Sequence, residues 1–360
     1  MSIDLQQRLN IHKQFWRGHA CDCLPVSFRI GDYFFADKFA AANELLVPGK
    51  VIKPAMIKPE RFIEGYEKMF KDTVNIGQSG FFTAEPYVGI PWLEAILGCQ
   101  IQASEKSFVS EPRKDALGKL LMNFDLDNNE WFLKYLEFTK TLVQYSNGRY
   151  PVGQPIMRGL SDAFGALTGQ EQMIFHLFDY PEESRCLIAG IADIFKEVIR
   201  RQFELIPDFH GGYAMGFYHI WTPGKCIWFQ EDLSSILSPE LFAEFIQEEW
   251  QDVCRSYKYN AIHLHPSAFH NLDLILKIDS LQAVEINKDE EGPSLKDLLP
   301  VFRQVLREGK RLILWGNLTE DEITLIMKNF GKESVFLNIV AKDINTAKKL
   351  LSIVEGVSLS

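Results

Sequence analysis

The feature that most constrains the fold is a regular alternation of two kinds of segment from about residue 150 onward. Compact apolar runs, typical of strands buried on both faces of a parallel sheet, alternate with longer stretches whose apolar residues recur at three- and four-residue spacing. This alternation predicts an α/β protein with a parallel sheet. The predicted strands are 151–157, 212–218, 259–265, 282–287, 311–315 and 335–339, and the predicted helices are 170–205, 239–258, 268–277, 294–308 and 320–329.

The N-terminal part of the chain adds two strand–helix steps, which brings the count to the eight of a (β/α)8 TIM barrel. A doubly wound sheet is the competing α/β architecture, and it usually carries a glycine-rich phosphate-binding turn after its first strand. The sequence has neither a GxGxxG nor a GxxxxGKS/T motif, so we predict the barrel. The additional strands are predicted at 24–30 and 74–82, and the additional helices at 59–71 and 130–145.

Nothing in the sequence divides this barrel into two domains. The 360 residues contain no internal repeat and no long linker rich in Pro, Gly or Ser. A TIM barrel with insertions reaches this length as one unit. We therefore predict a single domain over 1–360, with residues 1–23 as an N-terminal helical extension and 89–125 as an elaborated loop with short helices.

The charge balance limits the classes of partner. The chain carries 38 Lys and Arg against 48 Asp and Glu, a formal net charge of -10, and its basic residues form no run longer than a short pair. Nucleic-acid binding requires a basic surface that neutralises phosphates, so we expect no such partner. No apolar stretch approaches the length of a membrane span, and six scattered cysteines do not form a disulfide framework. The protein is expected to be cytoplasmic, without a membrane partner.

Polar residues just after the predicted strands are the first candidates for function, because barrels place their reacting groups at the carboxyl ends of strands. Arg158 and Asp162 follow the run at 151–157. A guanidinium there can hold a substrate carboxylate with two hydrogen bonds, and a carboxylate can accept a proton. An Arg–Asp ion pair that caps the next helix is equally consistent with the sequence. Both interpretations remain open.

The stretch 213–232 combines glycines, several large aromatic residues, a histidine, a cysteine and an acidic pair. We predict an aromatic-lined cleft with an acid at its base. In this interpretation Tyr218, His219 and Trp221 bind substrate and Asp232 is catalytic. The alternative is a packed loop whose acids favour the N-terminus of the following helix.

Two histidines stand at the end of the strand predicted at 259–265. Residues two apart in a strand share a face, so His263 and His265 both point toward the barrel mouth. Two imidazoles in one place can bind a metal, donate to an anionic substrate, or act as acid and base near neutral pH. The next two strands supply Glu285 and Asn317, and we assign Glu285 to catalysis and Asn317 to substrate binding.

At these residues the chain resembles the uroporphyrinogen decarboxylase superfamily, which includes the cobalamin-dependent methyltransferases of one-carbon metabolism. The resemblance implies a (β/α)8 barrel and an enzyme that exchanges a methyl group between a small methylated substrate and a separate corrinoid protein, which supplies the cobalamin. It rests on an ordered set of motifs: GLSDAFGALTG at 159–169, FDYPE at 178–182, Asp232 followed by SPELF at 238–242, HLH at 263–265, and GNLT at 316–319.

The methyltransferase branch of that superfamily also implies a zinc site. Its His-x-Cys motif falls where this chain has His263 and His265, so an imidazole replaces a thiolate. Zinc accepts nitrogen and oxygen ligands, and we predict His263, His265 and a carboxylate, Glu285 or Asp232, as its ligands. In that mechanism an anionic group of the substrate is held by a nearby arginine, Arg158 or Arg29. The oligomeric state, monomer or homodimer, stays open.

Two other functions remain possible under the same resemblance. The decarboxylases of porphyrin biosynthesis use an arginine-rich segment after the first strand, an Asp after the second and a C-terminal His. Arg29 is the candidate match to one of those arginines, but Glu85 stands in the region of the Asp, and 337–340 has no His. Because these matches are incomplete, decarboxylation of uroporphyrinogen or another polycarboxylate is kept as the alternative to methyl transfer. The third function is that of a non-catalytic tetrapyrrole- or corrinoid-binding protein.

Overall fold

The computed structural model describes residues 3–18, 23–31, 38–122, 124–331 and 333–357. The β-strands are β1 (Val26–Ile30), β2 (Val51–Ile52), β3 (Gln100–Ala103), β4 (Phe108–Glu111), β5 (Tyr213–Met215), β6 (Ile220–Thr222), β7 (Cys226–Gln230), β8 (Tyr259–Leu264), β9 (Ala283–Asn287), β10 (Arg311–Gly316) and β11 (Val335–Ala341).

Helices account for most of the other residues that the structure describes. None of the helices described is both long enough and apolar enough to cross a membrane. The α-helices are α1 (Leu5–Arg17), α2 (Ala40–Asn43), α3 (Ile63–Ile76), α4 (Trp92–Ile96), α5 (Glu130–Ser146), α6 (Leu160–Thr168), α7 (Gln170–Asp179), α8 (Pro181–Phe203), α9 (Pro239–Phe245), α10 (Gln247–Arg255), α11 (Leu272–Leu276), α12 (Leu295–Arg307), α13 (Glu320–Phe330) and α14 (Ile344–Val357). Short 3-10 helices occupy Pro54–Met56, Pro59–Phe62, Leu117–Lys119, Asp232–Ile236 and Pro266–Asn271.

A curled six-stranded parallel sheet forms the centre of the molecule, in the order β1-β11-β10-β9-β8-β7. Each neighbouring pair is parallel. From β7 to β11 every strand lies beside the next one along the chain, whereas a doubly wound sheet reverses its order at a switch point. The predicted α/β class and parallel sheet are confirmed. The predicted closed barrel is confirmed only in part, because the described sheet has six strands and does not close.

Irregular backbone lies where two of the eight predicted strands were expected. Parallel bridges link Ala84 with Val152 and Arg158 with Gln230, but the described residues form no continuous ladder there. In the segment predicted as a strand at 151–157, Pro151 and Pro155 have no N–H to donate. Proline is tolerated in a sheet only at such interruptions, which explains why this apolar segment does not pair regularly.

In the N-terminal and middle segments two strand predictions were wrong, and one loop prediction was incomplete. Helix α3 extends through Ile76 and ends at Gly77, whose φ of 82° is left-handed, so the strand predicted at 74–82 does not form. The segment 212–218 contributes only the short β5, which pairs antiparallel with β6. The parallel strand of that region is β7, which the sequence pattern did not indicate. The loop predicted at 89–125 contains a β-hairpin, β3–β4, in addition to short helices.

The N-terminal helix α1 covers the amino ends of the strands. Its apolar face buries Phe15 and Trp16, and Arg311 at the start of β10 donates to the Trp16 carbonyl at 2.6 Å. The Trp16 indole donates to the carbonyl of Trp221 at 2.9 Å. Packed side chains of α1 therefore cover part of this end of the sheet, and the opposite, carboxyl end is the one where barrels place their reacting groups.

Candidate functional site

Three of the predicted site residues converge at the carboxyl ends of β7 and β8. One ligand atom from each of Asp232, His263 and His265 lies within 4.8 Å of the other two. Nε2 of His263 is 3.7 Å from Oδ1 of Asp232, and Nε2 of His265 is 4.0 Å from the same oxygen. The two imidazole rings are 4.8 Å apart between centroids. The two histidines therefore share one face of β8, as the two-residue alternation of a strand requires.

Each imidazole is held from behind by a carboxylate at its other nitrogen. Nδ1 of His263 is hydrogen-bonded to Oε2 of Glu285, and Nδ1 of His265 lies 2.6 Å from Oδ1 of Asp289. Because an ionised carboxylate only accepts, both Nδ1 atoms donate, which leaves Nε2 of each ring facing Asp232. Carboxylate–histidine pairs of this kind orient metal-ligating histidines and increase their basicity.

Glu285 supports the site from behind the imidazoles. It is fully buried in β9, beside His263 in the strand register, and its Oε2 also accepts a hydrogen bond from the Tyr218 hydroxyl at 2.9 Å. Of the two carboxylates predicted as the third ligand, Asp232 is the one that faces both Nε2 atoms, whereas Glu285 lies at Nδ1 of His263. Tyr218, predicted to bind substrate, is likewise placed behind His263.

Burial and charge oppose each other at His263. Burial lowers the pKa of this imidazole, but Glu285, Asp232 and Asp162 are negatively charged and together raise it to about 9. Burial also raises the pKa of Asp162 to about 6, with Asp232 as the nearby like charge. The cluster thus concentrates negative charge, which a bound cation would offset.

Asp232 is held so that one of its oxygens points at the histidines. Oδ2 accepts a hydrogen bond from Nε2 of Gln230 at 2.9 Å. The carboxylate of Asp162 accepts the backbone N–H groups of Asp232 at 3.1 Å and Leu233 at 2.9 Å, which fixes the start of the loop. Among the described residues, Oδ1 of Asp232 is buried without a hydrogen-bond partner. This orphaned acceptor and the two Nε2 atoms form an N2O donor set that suits zinc with an open position.

The neighbouring acid, Glu231, has a structural role. Its fully buried carboxylate accepts hydrogen bonds from the backbone N–H of Leu160 at 2.7 Å, the Trp250 indole at 2.6 Å and the Ser161 hydroxyl. These bonds fix the N-terminus of α6 against β7. At Gly159 a Cβ atom would lie 1.9 Å from the Gln230 carbonyl oxygen, so only glycine allows this approach.

Arg158 lies at the mouth beside Asp232, but its partner is one that the sequence did not indicate. Its Nη1 is 3.1 Å from Oε1 of Glu94, whose side chain is 1% exposed, whereas the Arg158 side chain is 42% exposed. The predicted Arg158–Asp162 ion pair is replaced by this contact, and Asp162 instead binds the loop at Asp232. The nearby carboxylates, Glu94 first, outweigh burial and raise the pKa of Arg158.

Two cavities meet at Arg158 and Asp232. One, of about 250 Å³, is lined by loop 87–91, by 106–108 and by the side chains of Ile156 and Phe217. The other, of about 350 Å³, is lined by Ser110, Pro112 and the small residues of 165–169. A small molecule in either cavity would have access to Asp232, so the mouth offers two approaches to one centre.

Four predicted substrate-binding residues are not joined to this cluster. Arg29 is buried, donates to the Phe217 carbonyl and is 3.5 Å from Glu85. His219 is buried with a left-handed φ of 58°, and burial lowers its pKa. The backbone N–H of Trp221 donates to Nδ1 of His12 in α1, at the opposite end of the sheet. Asn317 is bonded to Glu290 in a neighbouring loop.

The site residues that the sequence reasoning missed are Asp289, Gln230 and Glu94. Asp289 and Gln230 lie within two residues of a strand's carboxyl end, so the rule that identified the histidines also applies to them. Glu94 lies in α4, far along the chain from any strand of the site, and no local pattern indicates it.

Comparisons with known proteins give a likeness in fold. Neither a family model nor a curated protein matches the sequence. Among solved structures, the chain is similar to a methyltransferase from Methanosarcina mazei, with a TM-score of 0.66, 14% sequence identity and coverage of 98% of each chain. At this identity the likeness establishes a shared fold over the whole length of the chain.

Proposed function

We propose that this chain is an enzyme that transfers a methyl group between a small methylated substrate and the cobalamin of a separate corrinoid protein, with zinc held by Asp232, His263 and His265. The observation that carries the proposal is the convergence of two Nε2 atoms on the unpartnered Oδ1 of Asp232. The shared fold with a methyltransferase and the resemblance to the uroporphyrinogen decarboxylase superfamily support the same class of reaction.

The proposal includes a complete (β/α)8 barrel. The segments around 78–85 and 151–158 occupy the second and third strand positions between β1 and β7. Gly80 donates its N–H to Val26 of β1 at 2.9 Å, and Gln230 of β7 donates to Met157 at 3.1 Å. With these segments included, the candidate site lies at the carboxyl end of a barrel, where barrel enzymes carry out their chemistry.

The chain's own residues have distinct roles in this mechanism. Asp232, His263 and His265 provide the ligand atoms, while Glu285 and Asp289 hold the two imidazoles in the orientation that directs Nε2 inward. Zinc bound there would act as a Lewis acid on the heteroatom that carries or receives the methyl group. The open side of the N2O donor set leaves room for that heteroatom.

The cavity of about 250 Å³ is the proposed substrate site. Its walls are partly apolar, with Ile156 and Phe217 among them, and partly polar, with Arg158 beside Asp232. A guanidinium in that position can hold an anionic group of the substrate. The second cavity gives the corrinoid partner a separate approach to Asp232.

We rank decarboxylation of a polycarboxylate second. That reaction needs several cations at the mouth, and the guanidinium of Arg29 is already bound to the Phe217 carbonyl and to Glu85. Arg158 is likewise paired with Glu94. Few cationic groups of the described mouth are therefore available to several carboxylates at once.

The experiment combines metal content with methyl transfer from free methylcobalamin, followed by its absorbance, to a panel of small thiols and phenols. We expect about one zinc per chain and activity in the wild type, and loss of both in His263→Ala and His265→Ala. His270→Ala is the matched control, since His270 contacts the Leu237 carbonyl and lies outside the cluster. Full zinc and activity in both cluster variants would remove the assignment. Porphyrin binding without zinc would favour the tetrapyrrole-binding alternative.

A further inference from the structure

A third cavity, of about 280 Å³, lies at the amino end of the sheet, away from the two cavities of the candidate site. Its walls come from α1, from the C-terminal part of α3, and from the connections that precede the second and third strand positions and β5. The lining includes Arg8 on α1, Val74 on α3, and residues around 149–151 and 209–210. Barrel enzymes carry out their reaction at the opposite end, so the proposed reaction does not explain the residues that line this cavity.

The cavity is cationic in a chain that is acidic overall. The chain has a formal net charge of -10, yet the described lining residues include two arginines and a histidine, Arg8, Arg149 and His210, and no carboxylate. Arg149 is neutralised by a carboxylate outside the cavity lining, because it binds Glu67 through two hydrogen bonds of 2.7 and 2.5 Å. The positive charge that the described residues leave uncompensated is therefore that of Arg8.

Arg8 is held in place by neutral groups. Its Nε and Nη2 donate to the backbone carbonyls of Ser79 at 3.3 Å and Gly80 at 2.5 Å, and its guanidinium carbon lies 4.0 Å from the centre of the Phe81 ring. No described carboxylate lies within ion-pairing distance of it. Burial lowers the pKa of this guanidinium to about 10 with no charged group to offset it. A largely buried cation without a counter-ion is unfavourable, and a bound anion would relieve that cost.

Aromatic rings form a large part of the remaining walls. Phe81 packs edge-on against Phe209 with centroids 5.7 Å apart, and Phe70 packs against Phe82 at 5.8 Å. At the rim, Val74 is 61% exposed, so the cavity is open to solvent on the α3 side. A volume of about 280 Å³ leaves room for a single ring that carries one carboxylate.

We propose that this cavity binds a small organic monoanion, with the anionic group on Arg8 and an apolar body against the phenylalanine rings. The charge-assisted hydrogen bonds of Arg8 select for the anion. The aromatic walls select for a flat or short apolar body over inorganic anions. Because none of these residues contacts Asp232, His263 or His265 in the structure, the inference does not depend on the proposed methyl transfer.

The test is calorimetric titration of the full chain with benzoate, with benzamide as the neutral isostere and inorganic phosphate as the bare anion. We expect benzoate to bind at least about tenfold more tightly than either. Arg8→Met should weaken benzoate binding about 10- to 100-fold. Arg303→Met is the matched control, because Arg303 also lies near a phenylalanine ring and bonds a neutral group, at a surface remote from the cavity.

A second variant keeps the test decisive if Arg8→Met does not fold. Val74→Trp adds bulk at an exposed rim position and should abolish benzoate binding while the chain stays folded. No benzoate binding by the wild type would overturn the proposal, as would equal affinity for benzamide or unchanged binding in Val74→Trp. Phosphate binding as tight as that of benzoate would also overturn it, because the site would then recognise a bare anion.

Discussion

Replacing Glu285 by Gln tests whether the carboxylates behind the imidazoles support metal binding. Glu285 is fully buried, and one of its oxygens accepts from both Tyr218 and His263. Glutamine has nearly the same shape and keeps one acceptor oxygen, so the change removes the charge while leaving the packing intact. Mutation of a group that hydrogen-bonds a metal ligand typically weakens metal affinity 10- to 100-fold, or by about 1.4 to 2.7 kcal/mol.

The expected effect on stability follows by linkage. Zinc at a hundred times the wild-type dissociation constant stabilises the folded state by about 2.7 kcal/mol. At the same zinc concentration, Glu285→Gln would stand at about one to ten times its own dissociation constant. Its stabilisation by zinc would then fall to about 0.4 to 1.4 kcal/mol.

The measurement is urea unfolding with and without zinc, together with competition against a chromophoric chelator. Glu322→Gln is the matched control, because Glu322 pairs with Lys288 at 2.9 Å and does not contact the imidazoles. Tyr218→Phe removes one neutral hydrogen bond from the same Glu285 oxygen and should have a smaller effect. Zinc affinity in Glu285→Gln within twofold of the wild type would refute the reasoning. Equal losses in Glu322→Gln would also contradict it.

Three further predictions concern stability, each measured by urea unfolding. Gly159→Ala should destabilise the fold by about 3 kcal/mol, because its Cβ would collide with the Gln230 carbonyl; Gly118→Ala, whose Cβ meets open space, should be nearly neutral. Burial lowers the pKa of His12 from 6.5 to about 3, so the folded state binds fewer protons than the unfolded state between these two values. The free energy of unfolding should therefore fall by about 1.4 kcal/mol for each pH unit below 6.5. This slope should be absent from His12→Gln. Parallel pH dependences of the free energy of unfolding in the wild type and in His12→Gln would contradict this. Arg158→Met should cost about 1 to 2 kcal/mol by leaving Glu94 buried and unpaired, and adding Glu94→Gln should recover most of it.

The convergence of the two histidines could be predicted because it depends only on local rules. His263 and His265 are two residues apart at a strand's end, and alternation places both on one face. Which carboxylate faces both histidines depends on strand register and on the turn after β7, which the sequence does not reveal. Register places Glu285 beside His263, while Asp232 reaches the Nε2 atoms from a turn anchored by Asp162.

The errors in the fold have equally specific causes. The run Cys226–Gln230 is a buried strand, but the aromatic residues on both sides of it gave no boundary that a periodicity rule could detect. The strand predicted at 151–157 had the right hydrophobicity, yet its prolines cannot donate to a ladder. In the segment at 74–82, Val74 and Ile76 belong to the last turn of α3, where Ile76 is buried three residues after the buried Thr73 and Val74 is exposed.

The pairing of β1 with β11 has a consequence for how the chain folds as it is synthesised. Within the described sheet β1 pairs only with β11, where Val26 lies opposite Leu337. At about 5–20 residues per second, β1 leaves the ribosome about 15 to 60 s before its partner strand. Until then its edge and the apolar face of α1 are exposed. We therefore expect truncated or stalled chains to aggregate through this N-terminal segment, and chaperones that cover it to increase the yield of folded protein.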